Sequence, residues 1–157
     1  MRRTIIQPRQ IFVMLLGFSL LLLACMAGKT KSTSYQALTL KAPPGLTGSF
    51  IDDYGITYTV TDSLFIQAPG IRYHIIRWDK AKQFFIAYQV PKKTPDSLVY
   101  TRVDYMRFSN MQPWLWGYCF TTYTAKNEAE ALNHPEADRS NPKKGCNGYP
   151  FSRVKRQ

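Results

Sequence analysis

The feature that most constrains the fold is a series of short runs between residues 46 and 123, rich in Tyr, Ile, Val, Thr, Phe and Trp and separated by turn residues. In the clearest run, Ile56, Tyr58 and Val60 alternate with three threonines, which indicates a strand with one buried face. The runs fall at residues 48–51, 56–61, 64–67, 71–78, 83–89, 98–108 and 114–123. Their short connections predict an antiparallel meander, and closure into a barrel would leave no exposed edge strand.

We therefore predict an all-β domain over residues 46–157, an antiparallel meander that closes into a small barrel of about seven to eight strands. A β-sandwich is the competing arrangement. One short helix is expected near the C-terminus, at residues 125–132, with Thr124 as the N-cap. Residues 134–144 read as a polar loop, and residues 145–151 as a compact turn.

The N-terminus has the composition of an export signal. Arg2, Arg3 and Arg9 lie within the first ten residues, where there is no acidic residue, and residues 11–23 are almost entirely apolar. A helix over that run would be roughly 20 Å long, which is shorter than the ~30 Å hydrocarbon core of a bilayer. We interpret the run as the hydrophobic part of a signal peptide rather than as a membrane span.

The apolar run ends in Leu22-Leu23-Ala24-Cys25, which resembles the lipobox of bacterial lipoproteins. The resemblance implies a signal peptide at residues 1–24, cleavage after Ala24 and lipid attachment at Cys25. Residues 25–45 would then be a flexible tether. Because Met26 rather than an aspartate follows the cysteine, the resemblance favours the outer membrane of the cell envelope. An ordinary signal peptide with an incidental cysteine is the alternative.

The chain is strongly basic, with 21 Lys and Arg residues against 10 Asp and Glu residues. Three arginines precede Cys25, so the mature chain would carry 18 basic and 10 acidic residues, a net charge of +8. Nucleic acid is not expected as a partner, because an exported chain rarely meets it and the positive residues are scattered. Attraction to anionic lipid headgroups or lipopolysaccharide is the functional interpretation, and a solvated face that aids solubility is the alternative.

Cys119 and Cys146 are the two cysteines that lipid attachment would leave free, and an exported protein passes through an oxidising compartment. We predict a disulfide between them, which would stabilise the domain by about 3 kcal/mol through loop closure. The pair does not form a Cys-x-x-Cys redox motif, and a zinc site would need at least two more ligands. His134 lies between the cysteines in a stretch that reads as loop, so no metal site is expected there.

One predicted strand is unusually rich in aromatic side chains. In the strand predicted at residues 114–123, alternation places four aromatic residues on one face: Trp114, Trp116, Tyr118 and Phe120. Cys119 belongs to the other face. If Cys119 bonds to a C-terminal segment packed outside the barrel, the four aromatic residues point inward. The interior could then hold a small apolar or lipid-like ligand, or it could be a filled core.

Polar residues on two other strands are further candidates for ligand recognition. Arg102 and Asp104 share a strand face and could pair. If they point inward, the pair would be a polar recognition point beside the aromatic residues; a rim or surface ion pair is the alternative. Arg72 and His74 make a similar, weaker case.

The sequence gives little support for an enzyme. There are only two His residues, and there is no G-x-S-x-G elbow, metal-spaced cluster or phosphate-binding glycine loop. Asp52 and Asp53 precede Tyr54 and Gly55, which predicts a turn rather than a calcium site. We therefore expect no catalytic residue, no metal and no cofactor.

Over residues 46–154 the chain resembles a family of small exported bacterial proteins to which no activity is assigned. The resemblance rests on residues 48–55, 73–76, 102–105, 118–119, 123–125 and 145–152. Gly48-Ser49-Phe50 also resembles the Gly-x-Trp opening of lipocalins, with Phe50 in place of tryptophan. This second resemblance implies a lipocalin-like barrel and, by analogy, carriage of a ligand.

The functional hypothesis is a membrane-anchored envelope protein with a non-enzymatic binding domain for a small hydrophobic or lipid-like ligand. The alternative is an envelope protein with a filled barrel that contacts other proteins or surface polymers. An open, aromatic-lined interior would favour the first hypothesis, and a filled barrel with an exposed apolar patch would favour the second.

Overall fold

A computed structural model describes residues 40–90 and 97–157. Its elements, in chain order, are β1 (Gly48–Asp52), β2 (Thr57–Val60), β3 (Leu64–Gln67), β4 (Ile71–Asp79), β5 (Phe84–Gln89), β6 (Val99–Arg107), β7 (Trp116–Ala125), α1 (Glu128–Asn133) and β8 (Ser152–Arg156). The predicted signal peptide, Cys25 and residues 25–39 of the predicted tether lie outside the described residues. No helix within the described ranges is long and apolar enough to cross a membrane.

Each strand pairs antiparallel with the next strand of the chain, and β8 pairs with both β7 and β1, so the sheet is a closed eight-stranded barrel. This confirms the predicted all-β meander barrel with one short helix near the C-terminus. The strand that completes the barrel is β8, for which the sequence analysis gave no residues. Val154 is the one buried apolar residue of Ser152–Arg156, so the strand has almost no apolar alternation to recognise.

The barrel interior is filled with side chains that alternate along the strands. In β2, Tyr58 and Val60 are buried while Thr59 is exposed, as the alternation predicts. The register of β4 against β5 shifts between Ile75 and Arg77. Residues three apart on a regular strand face opposite sides, but because of this shift Ile75 and Trp78 both lie in the interior core. The largest fully buried side chains of this interior core include Tyr105, Phe50, Phe65, Phe85 and Leu46.

One end of the barrel is covered by the chain segment that precedes β1. Ala42 and Leu46 are buried and belong to the interior core, although Ala42 falls in the range predicted to be a tether. Asp62 fixes this segment, because its Oδ1 accepts a hydrogen bond from the Ala42 N–H at 2.9 Å. Its backbone carbonyl accepts another from Trp78 Nε1 at 2.7 Å. We call this the closed end.

The outside of β5, β6 and β7 is covered by α1. Phe84, Ile86 and Ala125 point outward and pack with Ala131 of the helix. The N-cap is Asn127, whose Oδ1 accepts a hydrogen bond from the Glu130 N–H at 2.8 Å. The prediction of Thr124 as N-cap was wrong because β7 continues through Ala125, which pairs with β6.

Residues 134–151, which we call the C-terminal arm, run over the outside of the barrel between α1 and β8. Cys146 of the arm is bonded to Cys119 of β7 with an S–S distance of 2.09 Å, which confirms the predicted disulfide. Phe151 and Ala137 of the arm are buried beside Cys119. The arm is therefore fixed to the outer face of β7, opposite the interior core.

Candidate functional site

The end of the barrel opposite the closed end contains a cavity of about 340 Å³, which we call the cup. It lies where β1 turns into β2, where β3 turns into β4 and where β7 approaches the start of β8. The interior below it is filled, so the cup is a shallow, concave space in the mouth of the barrel rather than a channel through it.

Asp52 forms part of the floor of the cup and is only 4% exposed. Its Oδ1 accepts hydrogen bonds from the backbone N–H groups of Tyr54 at 2.9 Å and Ile56 at 2.8 Å. The intervening Gly55 has a φ of 84°, a left-handed conformation that favours glycine and that reverses the chain between β1 and β2. The turn residues predicted from the sequence thus place a carboxylate inside the barrel mouth.

A chain of hydrogen bonds joins Asp52 to two tyrosines of the floor. Tyr58 donates its hydroxyl proton to Asp52 Oδ2 at 2.8 Å, and Tyr118 donates to the Tyr58 hydroxyl oxygen at 2.6 Å. Ser152 at the start of β8 pairs with Tyr118 in the sheet and also lines the cup. The chain of hydrogen bonds links residues of β1, β2 and β7 across the mouth, so these side chains are held in fixed positions.

Burial raises the pKa values of both tyrosines. The pKa of Tyr118 rises from 10.0 to about 12, mainly because burial penalises the charged phenolate. The pKa of Tyr58 rises further, because burial is reinforced by the hydrogen bond with Tyr118 and by the nearby Asp52. Both hydroxyls therefore stay protonated at neutral pH and act as hydrogen-bonding groups rather than as bases.

The wall of the cup is aromatic. The rings of Tyr73 and Phe120 lie 5.2 Å apart between centroids, and the rings of Tyr118 and Phe120 lie 5.7 Å apart and perpendicular. Phe65 packs below Phe120 at 6.0 Å and closes the base of the wall. These contacts hold the rings in edge-to-face and tilted arrangements, which are the favourable ones for aromatic pairs.

The rim of the cup is polar and partly exposed. Gln67 of β3 and Gln89 of β5 are half-buried and line the cavity. Tyr54 and Tyr123 complete the rim and are 76% and 60% exposed. The amide groups supply both donors and acceptors, so a ligand in the cup could meet aromatic surface on one side and hydrogen-bonding groups on the other.

The four aromatic residues that were predicted to form one ligand surface lie in different parts of the structure. Trp116 and Tyr118 lie in the interior core and Phe120 packs against it, whereas Trp114 precedes β7 and lies on the outer side. There its ring is 5.0 Å from Arg153 and 5.5 Å from Lys155. Only Tyr118 and Phe120 of these four residues line the cup.

Arg102 and Asp104 form a pair, but on the outer face of β6 rather than beside the interior aromatic residues. They are 2% and 0% exposed and form two parallel hydrogen bonds of 3.0 and 3.1 Å. Asp104 also accepts a bond of 2.7 Å from Arg139 of the C-terminal arm. Arg102 donates to the Leu132 carbonyl of α1 at 3.1 Å, so the pair fastens α1 and the arm to the barrel.

His74 also points away from the interior. Its side chain is exposed on the outer face of β4 and its ring is stacked on Tyr88 at 5.1 Å. It contacts neither Asp104 nor the cup in the structure. Whether any of the predicted residues binds a ligand stays a prediction.

Most of the residues that line the cup could not be brought together from the sequence alone. Alternation in residues 56–61 placed Tyr58 on the inward face, but nothing local indicates that it meets Tyr118, which lies 60 residues further along the chain. Asp52 was assigned to the turn alone. The signal that could have found it is a carboxylate at the end of one strand followed by an inward-facing tyrosine on the next.

Within residues 40–90 and 97–157, no group of three or more His, Cys, Asp or Glu side chains is arranged to hold a metal ion. No protein family model matches this chain, and no curated protein or solved structure is significantly similar to it.

Proposed function

We propose that this protein is a lipid-anchored, non-enzymatic binding protein of the bacterial cell envelope, with a lipocalin-like barrel that takes a small ligand in the cup. The single observation that carries the proposal is the cup itself, an aromatic-walled cavity of about 340 Å³ with convergent polar groups. Its volume is at the lower end of the range of roughly 300–1,000 Å³ that is usual for small-molecule sites.

The depth of the cup limits the size of the ligand. Phe50, Phe65 and Phe85 fill the interior below the wall and are at most 1% exposed. A long acyl chain would have to displace these tightly packed side chains, at a cost in packing that a shallow site avoids. The proposed ligand is therefore a small amphipathic molecule whose apolar part is short.

The charge of the lining favours a neutral or cationic ligand. None of the described residues that line the cup is Lys or Arg, although the chain contains 21 of these residues. Asp52 is the one charged residue of the described lining, and aromatic rings attract cations through their faces. An anionic group placed against Asp52 would be repelled.

The first described residues of the chain leave the cup uncovered. Ala42 and Leu46 lie at the closed end, opposite the cup.

The alternative function is contact with an envelope protein or surface polymer. The exposed tyrosines of the rim, Tyr54 and Tyr123, favour it, because exposed tyrosines are enriched at protein interfaces. In this case the cup would be part of a larger contact surface rather than a closed site for one small molecule.

The proposal is tested by identifying what copurifies with the protein. The full chain is isolated from native membranes without detergent that could exchange the ligand, and small molecules are extracted and identified by mass spectrometry. Gln67→Trp fills the cup, and Thr59→Trp adds the same side chain on the exposed outer face of β2. A small amphipathic molecule that is retained by the wild type and Thr59→Trp and lost from Gln67→Trp supports the proposal. Equal recovery from all three, or none from any, refutes it.

The anchor is tested separately. Cys25→Ser should move the protein from the membrane fraction to the soluble exported fraction, because the site of lipid attachment is lost. A Cys119→Ser, Cys146→Ser double variant is the matched control, since it removes thiols without touching the proposed lipid site. Retention of the Cys25→Ser variant in the membrane would contradict the lipid anchor.

A further inference from the structure

A groove of about 630 Å³ lies on the outside of the barrel between the β6–β7 connection and the C-terminal arm, and we call it the outer groove. It is separate from the cup: Tyr54 is the one described residue that lines both. Apart from Tyr54, the residues that line it take no part in the proposed function.

The floor of the outer groove is apolar. Phe151 is buried, while Met106 and Phe108 are half-buried and contribute side-chain surface to the cavity. The ring of Phe108 lies directly over Gly117 of β7, where an added Cβ would come within 2.8 Å of the Phe108 Cζ. Because glycine at position 117 has no side chain, the Phe108 ring can pack against the β7 backbone there.

The rim of the groove has an excess of positive charge. Arg107, Lys143 and Arg153 line it together with one acidic residue, Asp53. Asp53 is already paired with Arg153 through bonds of 2.9 and 3.0 Å. Arg107 donates to the uncharged carbonyl of Pro44, and among the described residues Lys143 has no carboxylate within ion-pair distance. Two positive charges therefore remain uncompensated beside an apolar floor.

We propose that the outer groove is a second binding site, for a single-chain anionic amphiphile of the fatty-acid class. The alkyl chain would lie on Met106, Phe108 and Phe151, where burial of apolar surface drives binding, and the carboxylate would meet Lys143 and Arg107. The charge preference is opposite to that of the cup. The proposal does not depend on the cup or its ligand.

The C-terminal arm supplies one wall of this site. Pro142 and Lys143 line the groove, and the Phe151 N–H donates a hydrogen bond of 2.9 Å to the Pro142 carbonyl. The disulfide at Cys146 holds the same arm against β7. The wall is therefore preorganised, which reduces the entropic cost of binding.

The test is a titration of the full chain, in phosphatidylcholine nanodiscs, with sodium decanoate. Binding is followed by ¹³C NMR of the methionine methyl groups, because Met106 and Met111 both line the groove and are the two methionines of the described ranges. We expect saturable shifts of both methyl signals. Decyltrimethylammonium has a similar chain and the opposite charge, and should cause much weaker shifts.

Variants at Ser109, which lines the groove and is exposed, provide the matched comparison. Ser109→Glu places a negative charge in the site and should weaken decanoate binding at least about tenfold relative to Ser109→Gln, which has nearly the same size without the charge. Lys143→Gln should weaken it about two- to fivefold, as expected for an exposed ion pair, and Lys126→Gln should have no effect.

The proposal is overturned by an absence of saturable shifts at Met106 and Met111. It is equally overturned if Ser109→Glu and Ser109→Gln bind decanoate alike, or if decyltrimethylammonium binds as well as decanoate. These outcomes would not contradict the proposed binding of a ligand in the cup, because none of the substituted residues lines the cup.

Discussion

Removing the hydroxyl of Tyr58 should destabilise the barrel more than removing the hydroxyl of Tyr118, although both side chains are buried. Tyr58→Phe eliminates a hydrogen bond to the Asp52 carboxylate and leaves the Tyr118 hydroxyl without its acceptor. A bond to a charged group contributes about 1.5–3 kcal/mol and a neutral bond about 0.5–1.5 kcal/mol. The expected loss in the free energy of unfolding is therefore about 2–4 kcal/mol.

Tyr118→Phe removes only the neutral hydrogen bond to Tyr58 and leaves the bond from Tyr58 to Asp52 in place. Its expected cost is about 0.5–1.5 kcal/mol. The double variant should cost less than the sum of the two single variants, by about 1 kcal/mol, because the bond between the two hydroxyls is lost only once.

The assay is urea unfolding of the full chain, followed by fluorescence and analysed by linear extrapolation. Trp78 and Trp116 are both buried in the interior core and report its loss directly. A larger effect for Tyr118→Phe than for Tyr58→Phe would refute the proposed direction of the hydrogen-bond chain. Strict additivity in the double variant would refute the direct bond between the two hydroxyls.

Three further predictions concern the disulfide, the outer ion pair and high pH. Replacing Cys119 and Cys146 by serine should lower the free energy of unfolding by about 3 kcal/mol, measured in urea, and an unchanged midpoint would contradict this estimate of loop closure. Asp104→Ala should cost about 3–5 kcal/mol, since it removes the buried carboxylate that pairs with Arg102; a cost below 1 kcal/mol would show that Glu136 and the backbone carbonyls of residues 132 and 134 satisfy the guanidinium. Because folding raises the pKa of Tyr118 from 10.0 to about 12, the stability that it contributes is complete below pH 10 and is lost between pH 10 and 12. Urea unfolding across that interval should show a falling midpoint, whereas Tyr118→Phe should show a smaller decrease.

The sequence was sufficient to predict the class and connectivity of the fold, because seven of the eight strands have local signals. Alternation marks Tyr58 and Val60 of β2 without ambiguity, and turn residues separate each run from the next. The disulfide could be predicted because the predicted lipid attachment at Cys25 would leave one pair of cysteines. In contrast, β8 is mostly polar and basic, and only its position between β7 and β1 makes it a strand.

The candidate site could be predicted only in part, for two physical reasons. The first is that strand alternation gives the face of a residue but not its distance along the barrel axis, so Trp116 appeared equivalent to Phe120, although only Phe120 reaches the cup. The second is that a residue that is buried from solvent need not lie inside the barrel. Arg102 and Asp104 are buried on the outside of β6 because α1 and the C-terminal arm cover them, a tertiary contact that no local pattern reveals.

Closure by β8 has a consequence for how the chain can fold. The ion pair between Asp53 and Arg153 joins residues that are 100 positions apart, and β1 finds its second neighbour only when β8 arrives. Contacts of such long sequence separation form slowly. During synthesis the two edge strands of the nascent sheet stay unpaired and open to association with other chains until residues 152–156 have emerged. The sheet can therefore close only when β8 is available for pairing, even if the aromatic interior has collapsed earlier.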